Sequence, residues 1–273
     1  MSEKPFDKTQ GKLSIVATPI GNLEDITLRA LRILKECDVV ACEDTRVTKK
    51  LLSHYEIHTP VTSFHANSGA KGFEKILAVL KDGKHVALVS DAGTPGISDP
   101  GLELVSMVRA LSQNLLSEKV LGSPRSARSD HFLQEDFAPV KIETIPGPSA
   151  LAAALAIAGM RVNSFTFYGF LPIKKGRETL FKEIARSERA SIFYESPHRI
   201  LKTLDSLEKY IGPSYGEKMS EKKMKKERRI GIFRELTKMF EESVVGTVGE
   251  VKAVLESDAN KQRGEFVVIV EGE

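Results

Sequence analysis

The sequence has no tryptophan, two cysteines among 273 residues and an aromatic content of only 7%. Cys37 and Cys42 form no C-x-x-C pair, which argues against a disulfide framework. This scarcity is typical of a reducing compartment, so we expect a cytoplasmic protein. No apolar run approaches the roughly 18 residues of a membrane span, and the N-terminal residues lack the apolar segment of a signal peptide. We therefore expect no membrane association.

Charge of one sign is also not in excess, since 40 basic and 37 acidic residues give a net charge of +3. This balance excludes a protein that attracts nucleic acid over its whole surface. The densest basic run is 217–229, with seven Lys/Arg against three Glu. The segment 213–229, which contains this run, and the polar stretch 112–139 are predicted to be surface loops. The basic run either contacts RNA phosphates or is simply solvated.

Short apolar runs alternate with segments of helical periodicity, which is typical of βαβ units around a mostly parallel sheet. A helix of small residues ends near Gly159, so we predict an N-terminal α/β domain over 1–160 and a C-terminal α/β domain over 161–273. Strands are predicted at 13–17, 39–42, 61–65, 86–90 and 140–145 in the first half, and at 164–168, 191–194, 230–233, 243–248 and 266–270 in the second.

Three predicted strands end in loops rich in glycine and proline, at 18–22, 90–101 and 146–150. Ligands of parallel α/β sheets bind outside the carboxyl ends of the strands. Glycine lets the main chain approach a ligand, and proline fixes the neighbouring turn. One such loop could be an ordinary connection, but three together predict a rigid pocket lined by main chain. The phosphate-binding patterns G-x-x-x-x-G-K-[ST] and G-x-G-x-x-G are missing, so a neutral or cationic ligand of adenosine size suits the loops at least as well.

Six ordered motifs extend this pattern over most of the chain. They are ATPIGNLEDIT at 17–27, ACEDTR at 41–46, SDAGTPGISDPG at 90–101, IPGPSA at 145–150, FYESPHR at 193–199 and RELTK at 234–238. Together they resemble the ribosomal RNA small subunit methyltransferase I family of the tetrapyrrole methylase superfamily, from about residue 12 to residue 270.

The resemblance implies two α/β domains of the tetrapyrrole methylase type, with S-adenosylmethionine in the cleft between them, and a homodimer. It implies 2′-O-methylation of a cytidine ribose in the decoding region of small-subunit ribosomal RNA, with the RNA or the assembled small subunit as partner. The implied cofactor-binding residues of the first domain are Pro19, Gly21, Asp91, Gly93, Thr94, Pro95, Ser98, Pro146, Gly147, Ser149 and Ala150. Tyr194, Glu195 and Ser196 would close the site from the second domain.

Candidate catalytic residues follow the second and third predicted strands. Glu43, Asp44 and Arg46 place two carboxylates and a guanidinium within four residues. Either carboxylate could assist or orient the removal of a proton while Arg46 meets RNA; alternatively the group forms an ion pair and a helix cap. His65 ends the third strand and is a second candidate base, or a histidine of the core.

Other interpretations stay open. Glu195 and His198 could contact a ligand, or could cap a helix and pair with Arg199. His54 and His58 lack a third ligand, so we predict no metal. The same fold and cofactor loops would serve a methyltransferase acting on a small molecule such as a tetrapyrrole precursor. A non-catalytic RNA-binding module is the alternative from outside enzymes.

Overall fold

The structure, a computed structural model, describes residues 10–64, 69–112, 138–212 and 228–273. The chain divides into two compact units, Met1–Ser149 and Ala150–Glu273. This division precedes the helix of small residues that the sequence analysis placed in the N-terminal domain. The helix instead packs against the last strand of the second unit. The predicted loops at 112–139 and 213–229 fall mostly outside the described residues.

The first unit is built from short apolar strands connected largely by amphipathic helices. Its strands are β1 (Lys12–Val16), β2 (Val39–Cys42), β3 (Val61–Ser63), β4 (His85–Leu88) and β5 (Lys141–Ile145). Its helices are α1 (Leu28–Glu36), α2 (Thr45–His54), α3 (Gly69–Lys81) and α4 (Gly101–Ser112), and a 3-10 turn covers Leu23–Asp25. Thr27 and Asp44 cap α1 and α2, because each side chain accepts a hydrogen bond from a main-chain N–H of the first turn.

Neighbouring strands of this sheet are all parallel, in the order β3-β2-β4-β1-β5. One face buries Leu13 and Val86 in a core with residues of α3 and α4, and the other buries Val40 and Ala87 in a core with residues of α1 and α2. Burial on both faces explains why the strands are nearly continuous apolar runs. Because the strands are parallel, their carboxyl ends lie along one edge of the sheet.

A polar cluster interrupts this core near the amino ends of the strands. Ser14 is fully buried, and its hydroxyl donates to Glu143 Oε1 at 2.7 Å. The hydroxyl has one proton, so the 2.7 Å contact with His85 Nε2 requires the ring nitrogen to donate to Ser14 Oγ. Lys12 Nζ lies 2.8 Å from Glu143 Oε1. Burial, reinforced by the charge of Lys12, lowers the pKa of His85 to about 4.

His85 should therefore make the stability of the first unit depend on pH. The unfolded chain takes up a proton at the ordinary histidine pKa of 6.5, whereas the folded unit does so only near pH 4. The stabilisation is complete above pH 6.5 and is lost as the pH falls toward 4. We expect His85→Gln to reduce the loss of unfolding free energy between pH 6.5 and 4.5 by about 2 kcal/mol, measured by urea denaturation with circular dichroism.

The control for this prediction is His54→Gln, at an exposed histidine of the same unit. We expect that replacement to leave the loss of stability between the two pH values unchanged. Equal behaviour of the two variants would show that His85 is not the group responsible.

The second unit has five strands and four helices among its described residues. The strands are β6 (Phe165–Phe170), β7 (Ala190–Glu195), β8 (Ile230–Arg234), β9 (Glu242–Gly246) and β10 (Phe266–Val270). The helices are α5 (Ala150–Ile157), α6 (Arg177–Arg186), α7 (Ile200–Ile211) and α8 (Val248–Glu256), and a 3-10 turn covers Ala259–Gln262. Over the described ranges of both units, no helix has the length and apolar character needed to cross a membrane.

The second sheet has the order β6-β7-β10-β8-β9, and its strands are mostly antiparallel. Only β6 and β7 run parallel, since β10 is antiparallel to both β7 and β8, and β9 is antiparallel to β8. The prediction of a mostly parallel sheet is therefore confirmed for the first unit and wrong for the second. Strand β10 lies at the centre with all five residues buried. Helices α6, α7 and α8 cover one face through a single core cluster.

The end of the basic run is anchored rather than loose. Arg228 is partly buried, and its guanidinium donates hydrogen bonds to the main-chain carbonyls of Ile184, Ala185 and Glu271. Two of these carbonyls belong to the last turn of α6, where a cation is favourable. The prediction of a loose surface loop over the whole of 213–229 is thus wrong for Arg228.

Candidate functional site

The three loops rich in glycine and proline meet at one edge of the first sheet. They leave the carboxyl ends of β1, β4 and β5, and these strands are neighbours in the order β4-β1-β5. We refer to residues 17–22, 89–100 and 146–149 as the β1, β4 and β5 loops. The sequence predicted each loop separately, and the strand order places them side by side.

Hydrogen bonds join the three loops. Thr18 and Gly93 pair through both of their main-chain groups, with N–O distances of 2.9 and 3.0 Å. The buried Thr18 hydroxyl donates to the Ser90 carbonyl at 3.2 Å, which fixes the β1 loop to the β4 loop. The Thr94 hydroxyl donates to the Pro148 carbonyl at 2.9 Å, which fixes the β4 loop to the β5 loop. The edge is therefore built as one connected group of loops.

Gly93 and Gly147 are the positions at which these loops approach one another too closely for a side chain. Gly93 has a φ of +81°, and a Cβ there would lie 3.3 Å from Ile20 Cγ2. A Cβ at Gly147 would lie 3.0 Å from the Cβ of Ala17, which is closer than the normal separation of two carbon atoms. A side chain at either position would push neighbouring loops apart. These glycines therefore set the spacing of the main chain at the edge.

Asp99 closes the far end of the β4 loop, although it was not among the predicted site residues. Its carboxylate accepts hydrogen bonds from the main-chain N–H of Gly96 at 2.9 Å and of Gly101 at 2.7 Å. These bonds hold the turn at Gly96 and the start of α4. The signal in the sequence was an Asp two residues before the start of α4, since Asp is favoured at helix starts. The predicted ligand residue Ser98 is exposed beside this turn.

Asp91 connects the β4 loop to the end of β2. Its carboxylate accepts a hydrogen bond from the main-chain N–H of Asp44 at 3.0 Å. The Asp44 carboxylate accepts from the Arg46 main-chain N–H at 2.8 Å and from Arg46 Nη2 at 2.6 Å. The ion pair and helix cap that the sequence left as one alternative are thus present. Hydrogen bonds from the side chain and main chain of Arg46 lower the pKa of Asp44 to about 2.

Three of the four predicted catalytic residues lie at this edge. Strand β2 is the neighbour of β4, so the segment that follows β2 adjoins the β4 loop. Glu43 is half-buried there, and the Arg46 side chain is 86% exposed. His65 lies outside the described residues, so its role stays a prediction.

Glu195, at the end of β7 in the second unit, has a fully buried side chain. Its carboxylate accepts hydrogen bonds from Arg199 Nε at 2.9 Å, Thr203 Oγ1 at 2.6 Å and Ser196 N at 2.8 Å. Arg177 Nη2 lies 3.5 Å away. The ion pair with Arg199, which the sequence left as one of two alternatives, is therefore present, and the carboxylate has no surface left for a cofactor. Of the cofactor contacts predicted for residues 194–196, the one at Glu195 could involve only its main-chain atoms.

Arg177 and Thr203 belong to this network but were not predicted from the sequence. Arg177 lies on α6 and Thr203 on α7, and Arg177 Nη2 also donates to Thr203 Oγ1 at 2.6 Å. Neither residue is next to the YESPHR motif, so no local spacing indicated the contact. Only the packing of the two helices against the end of β7 brings them to Glu195.

Tyr194 lies in an aromatic cluster of the second unit. Its ring centroid is 5.0 Å from that of Phe167 and 5.5 Å from that of Phe170, both in edge-to-face geometry. Burial raises the pKa of Tyr194. The half-buried ring is thus held by its neighbours.

The structure gathers the predicted site residues into two groups. Those of the first group share the carboxyl edge of the first sheet: Pro19, Gly21, Asp91, Gly93, Thr94, Pro95, Ser98, Pro146, Gly147 and Ser149, with Glu43, Asp44 and Arg46 beside them. The second group is Tyr194, Glu195 and Ser196 at the end of β7, and Ala150 begins α5. Within the ranges that the structure describes, no three His, Cys, Asp or Glu residues are grouped as metal ligands would be.

Known proteins are similar to this chain over nearly its whole length. The chain matches the family "Tetrapyrrole (Corrin/Porphyrin) Methylases" at residues 12–115 and 126–252. It is 39% identical over 262 residues to a Thermotoga maritima protein named ribosomal RNA small subunit methyltransferase I, covering 96% of this chain and 99% of that one. A Pasteurella multocida protein of the same name is 40% identical over 263 residues, covering 96% of this chain and 79% of that one.

Solved structures with the same fold are more distant in sequence. The methyltransferase CobJ matches with a TM-score of 0.60 at 17% identity, covering 96% of this chain and 95% of that one. A Thermus thermophilus uroporphyrin-III C-methyltransferase, complexed with S-adenyl homocysteine, matches with a TM-score of 0.56 at 17% identity, covering 96% and 97%. The predicted fold class is thus confirmed. The chain belongs to the ribosomal RNA small subunit methyltransferase I family, within the tetrapyrrole methylases.

Proposed function

We propose that this chain uses S-adenosylmethionine to methylate the 2′-hydroxyl of a cytidine ribose in the decoding region of small-subunit ribosomal RNA. The observation that carries the proposal is the connected edge of the β1, β4 and β5 loops in a chain so similar to the Thermotoga maritima relative. The loops provide a site for a small cofactor, and the name of the relative supplies the class of acceptor.

The residues of this edge suit S-adenosylmethionine. Gly21, Asp91 and Gly147 are exposed, so main-chain groups of all three loops are available to a nucleoside without a phosphate-binding pattern. Asp91 uses its carboxylate to accept the N–H of Asp44, and this acidic group lies beside the loops. A carboxylate at this place favours a ligand that carries a sulfonium cation.

The bound cofactor would supply a methyl group on a positively charged sulfur that is a good leaving group. The main task of the protein is then to position the acceptor hydroxyl, and the hydrogen bonds between the loops provide the required rigidity. Arg46 is exposed at the same edge and is fixed at its base by Asp44. A guanidinium held in this way suits an RNA phosphate or a ribose oxygen.

The acceptor hydroxyl must lose its proton during the transfer. A carboxylate with a pKa of about 2 is a weak proton acceptor near neutral pH, so Asp44 acts by orienting Arg46. Glu43 and His65 are the remaining candidates for assisting the proton loss.

Asp44→Asn tests this division of roles. Asn caps helices as well as Asp does, so the variant should keep α2 and bind S-adenosylmethionine normally in calorimetry. Loss of the carboxylate frees Arg46, and we expect the rate of methyl transfer at saturating cofactor to fall about tenfold. The pH–rate profile between pH 6 and 9 should keep its shape, because Asp44 does not titrate there. If Asp44→Asn turned over at the wild-type rate, Asp44 would have no role in the mechanism. If the variant lost an inflection of the pH–rate profile, Asp44 would be the group that accepts the proton.

The assembly and location also belong to the proposal. We infer a homodimer that works in the cytoplasm on the RNA or on the assembled small subunit. Light scattering of the purified protein tests the dimer, and comparison of free RNA with small subunits as methyl acceptors identifies the form of the substrate.

The function itself is tested by transfer of labelled methyl groups from S-adenosylmethionine. Acceptors are small subunits from a bacterial strain lacking this modification, unmodified small-subunit RNA, and a porphyrinogen. We expect label in small-subunit RNA, with mass spectrometry locating it on one cytidine ribose. Label in the porphyrinogen alone would identify a small-molecule methyltransferase. RNA binding without cofactor binding would identify a non-catalytic module.

A further inference from the structure

The segment that follows β6 exposes apolar and cationic side chains together. Phe170 is 59% exposed and Ile173 is 75% exposed. Lys174 and Lys175 come next and are also exposed. Neither lysine forms an ion pair with any described residue. We refer to residues 170–175 as the β6–α6 segment.

The buried network of Glu195 holds the main chain of this segment. Arg199 Nη2 donates to the Leu171 carbonyl at 2.7 Å, and Arg177 Nη1 donates to the Pro172 carbonyl at 3.0 Å. Both guanidiniums are themselves paired with the fully buried Glu195. Two charged hydrogen bonds therefore fix the exposed segment to the interior of the second unit.

The ring of Phe170 is also held in place. Gly169 has a φ of +61°, and the pairing of β6 with β7 shifts register between Phe167 and Phe170. The shift brings both rings into contact with Tyr194, although side chains three residues apart in a regular strand point to opposite faces. Phe170 thus has one edge packed and most of its surface in solvent.

We propose that the β6–α6 segment binds single-stranded RNA of the substrate, with an unpaired base on Phe170 and phosphates at Lys174 and Lys175. The inference rests on the proposed function. An exposed aromatic ring beside unpaired cations is the combination that recognises unstacked nucleotides. A purely apolar partner would leave both lysines without a counter-charge.

Another exposed apolar pair, Met239 and Phe240, lacks this complementarity. The neighbouring Lys238 is already paired with Glu235 and Glu265. Since the lysine beside it in the sequence is neutralised, that pair offers no comparable attraction to phosphate.

The test measures binding of an unmodified small-subunit RNA transcript at several salt concentrations. Lys174→Gln/Lys175→Gln should reduce the slope of log K against log salt by about 1.4, as expected for two single-strand phosphate contacts. Phe170→Leu keeps an apolar side chain but removes the aromatic face, and it should weaken binding about tenfold with an unchanged slope. Calorimetric binding of S-adenosylmethionine should stay at the wild-type value for both variants.

The matched control is Arg186→Gln/Lys202→Gln, which removes two exposed charges from the same unit. We expect it to keep the wild-type affinity and slope. An equal loss of RNA affinity in the control and in the lysine variant would overturn the proposal, and so would unchanged RNA binding by all variants. It would also be overturned if Phe170→Leu were a monomer in light scattering while the wild type is a dimer, because Phe170 would then belong to the interface between protomers. Failure of the wild-type protein to bind RNA or to methylate it would instead refute the proposed function.

Discussion

Glu195→Gln is expected to lower the free energy of unfolding of the second unit by about 3 kcal/mol. The carboxylate is fully buried and pairs with Arg177 and Arg199. The amide keeps the shape of the side chain but removes the negative charge, so two partly buried guanidiniums lose their counter-ion. One amide nitrogen would also face these donors, whereas the carboxylate accepts from all of them. Native-state hydrogen exchange of the amides in β7 and β10 measures the loss within the unit.

Glu188→Gln is the control, because Glu188 is exposed in the same unit. A change at such a position should stay within about 0.5 kcal/mol. If both variants have equal stability, the ion pairs of Glu195 with Arg177 and Arg199 stabilise the unit no more than hydration of these groups does. A large loss for Glu195→Gln alone would show that the YESPHR motif is chiefly structural at this residue.

The same variant connects the interior of the second unit to its surface. Arg177 and Arg199 also hold the Pro172 and Leu171 carbonyls, so weakening their attachment to Glu195 should loosen the β6–α6 segment. The buried network around Glu195 then holds the exposed β6–α6 segment in place without contributing to its surface. Its effect on RNA affinity should be smaller than that of Phe170→Leu, because the exposed side chains are retained.

The strands could be predicted from the sequence because they are short apolar runs with clear ends. Strands β2 and β10 match their predicted limits, at Val39–Cys42 and Phe266–Val270. Strand direction in the second sheet could not be predicted in this way. A helix follows β7 and precedes β8, and these two strands do run in the same direction, but β10 inserts between them and is antiparallel to both. The local pattern of apolar residues does not indicate that β10, the last strand of the chain, lies at the centre of the sheet.

The candidate site divides in the same manner. Its loops were predictable, because glycine and proline at strand ends are visible residue by residue. That the three loops lie together could not be predicted, since β4, β1 and β5 are neighbours in the sheet but not consecutive in the chain. The hydrogen bond from the main chain of Asp44 to Asp91 joins residues 47 positions apart, and no periodic pattern in the sequence indicates it. Contacts of this kind depend on tertiary packing alone.

Gly93→Val should reduce affinity for S-adenosylmethionine at least a hundredfold if the β1, β4 and β5 loops form the cofactor site. A β-branched residue strongly resists the φ of +81° found at Gly93. Its Cβ would also meet Ile20 Cγ2 at 3.3 Å and the Pro148 carbonyl oxygen at 3.7 Å. The chain can relieve this strain only by moving the β4 loop, which disrupts the paired main-chain bonds between Gly93 and Thr18. Calorimetric titration measures the affinity.

Gly249→Val supplies the matched comparison. Gly249 lies in α8, and a Cβ there would have no neighbour within 4 Å. Valine and glycine differ little in helix propensity, so this variant should fold and bind the cofactor as the wild type does. Circular dichroism should show that Gly93→Val retains both sheets, because the strain is confined to a loop beyond the end of β4. Normal affinity in a folded Gly93→Val protein would mean that the cofactor does not depend on the conformation of the β4 loop, and the site would have to be sought elsewhere in the chain.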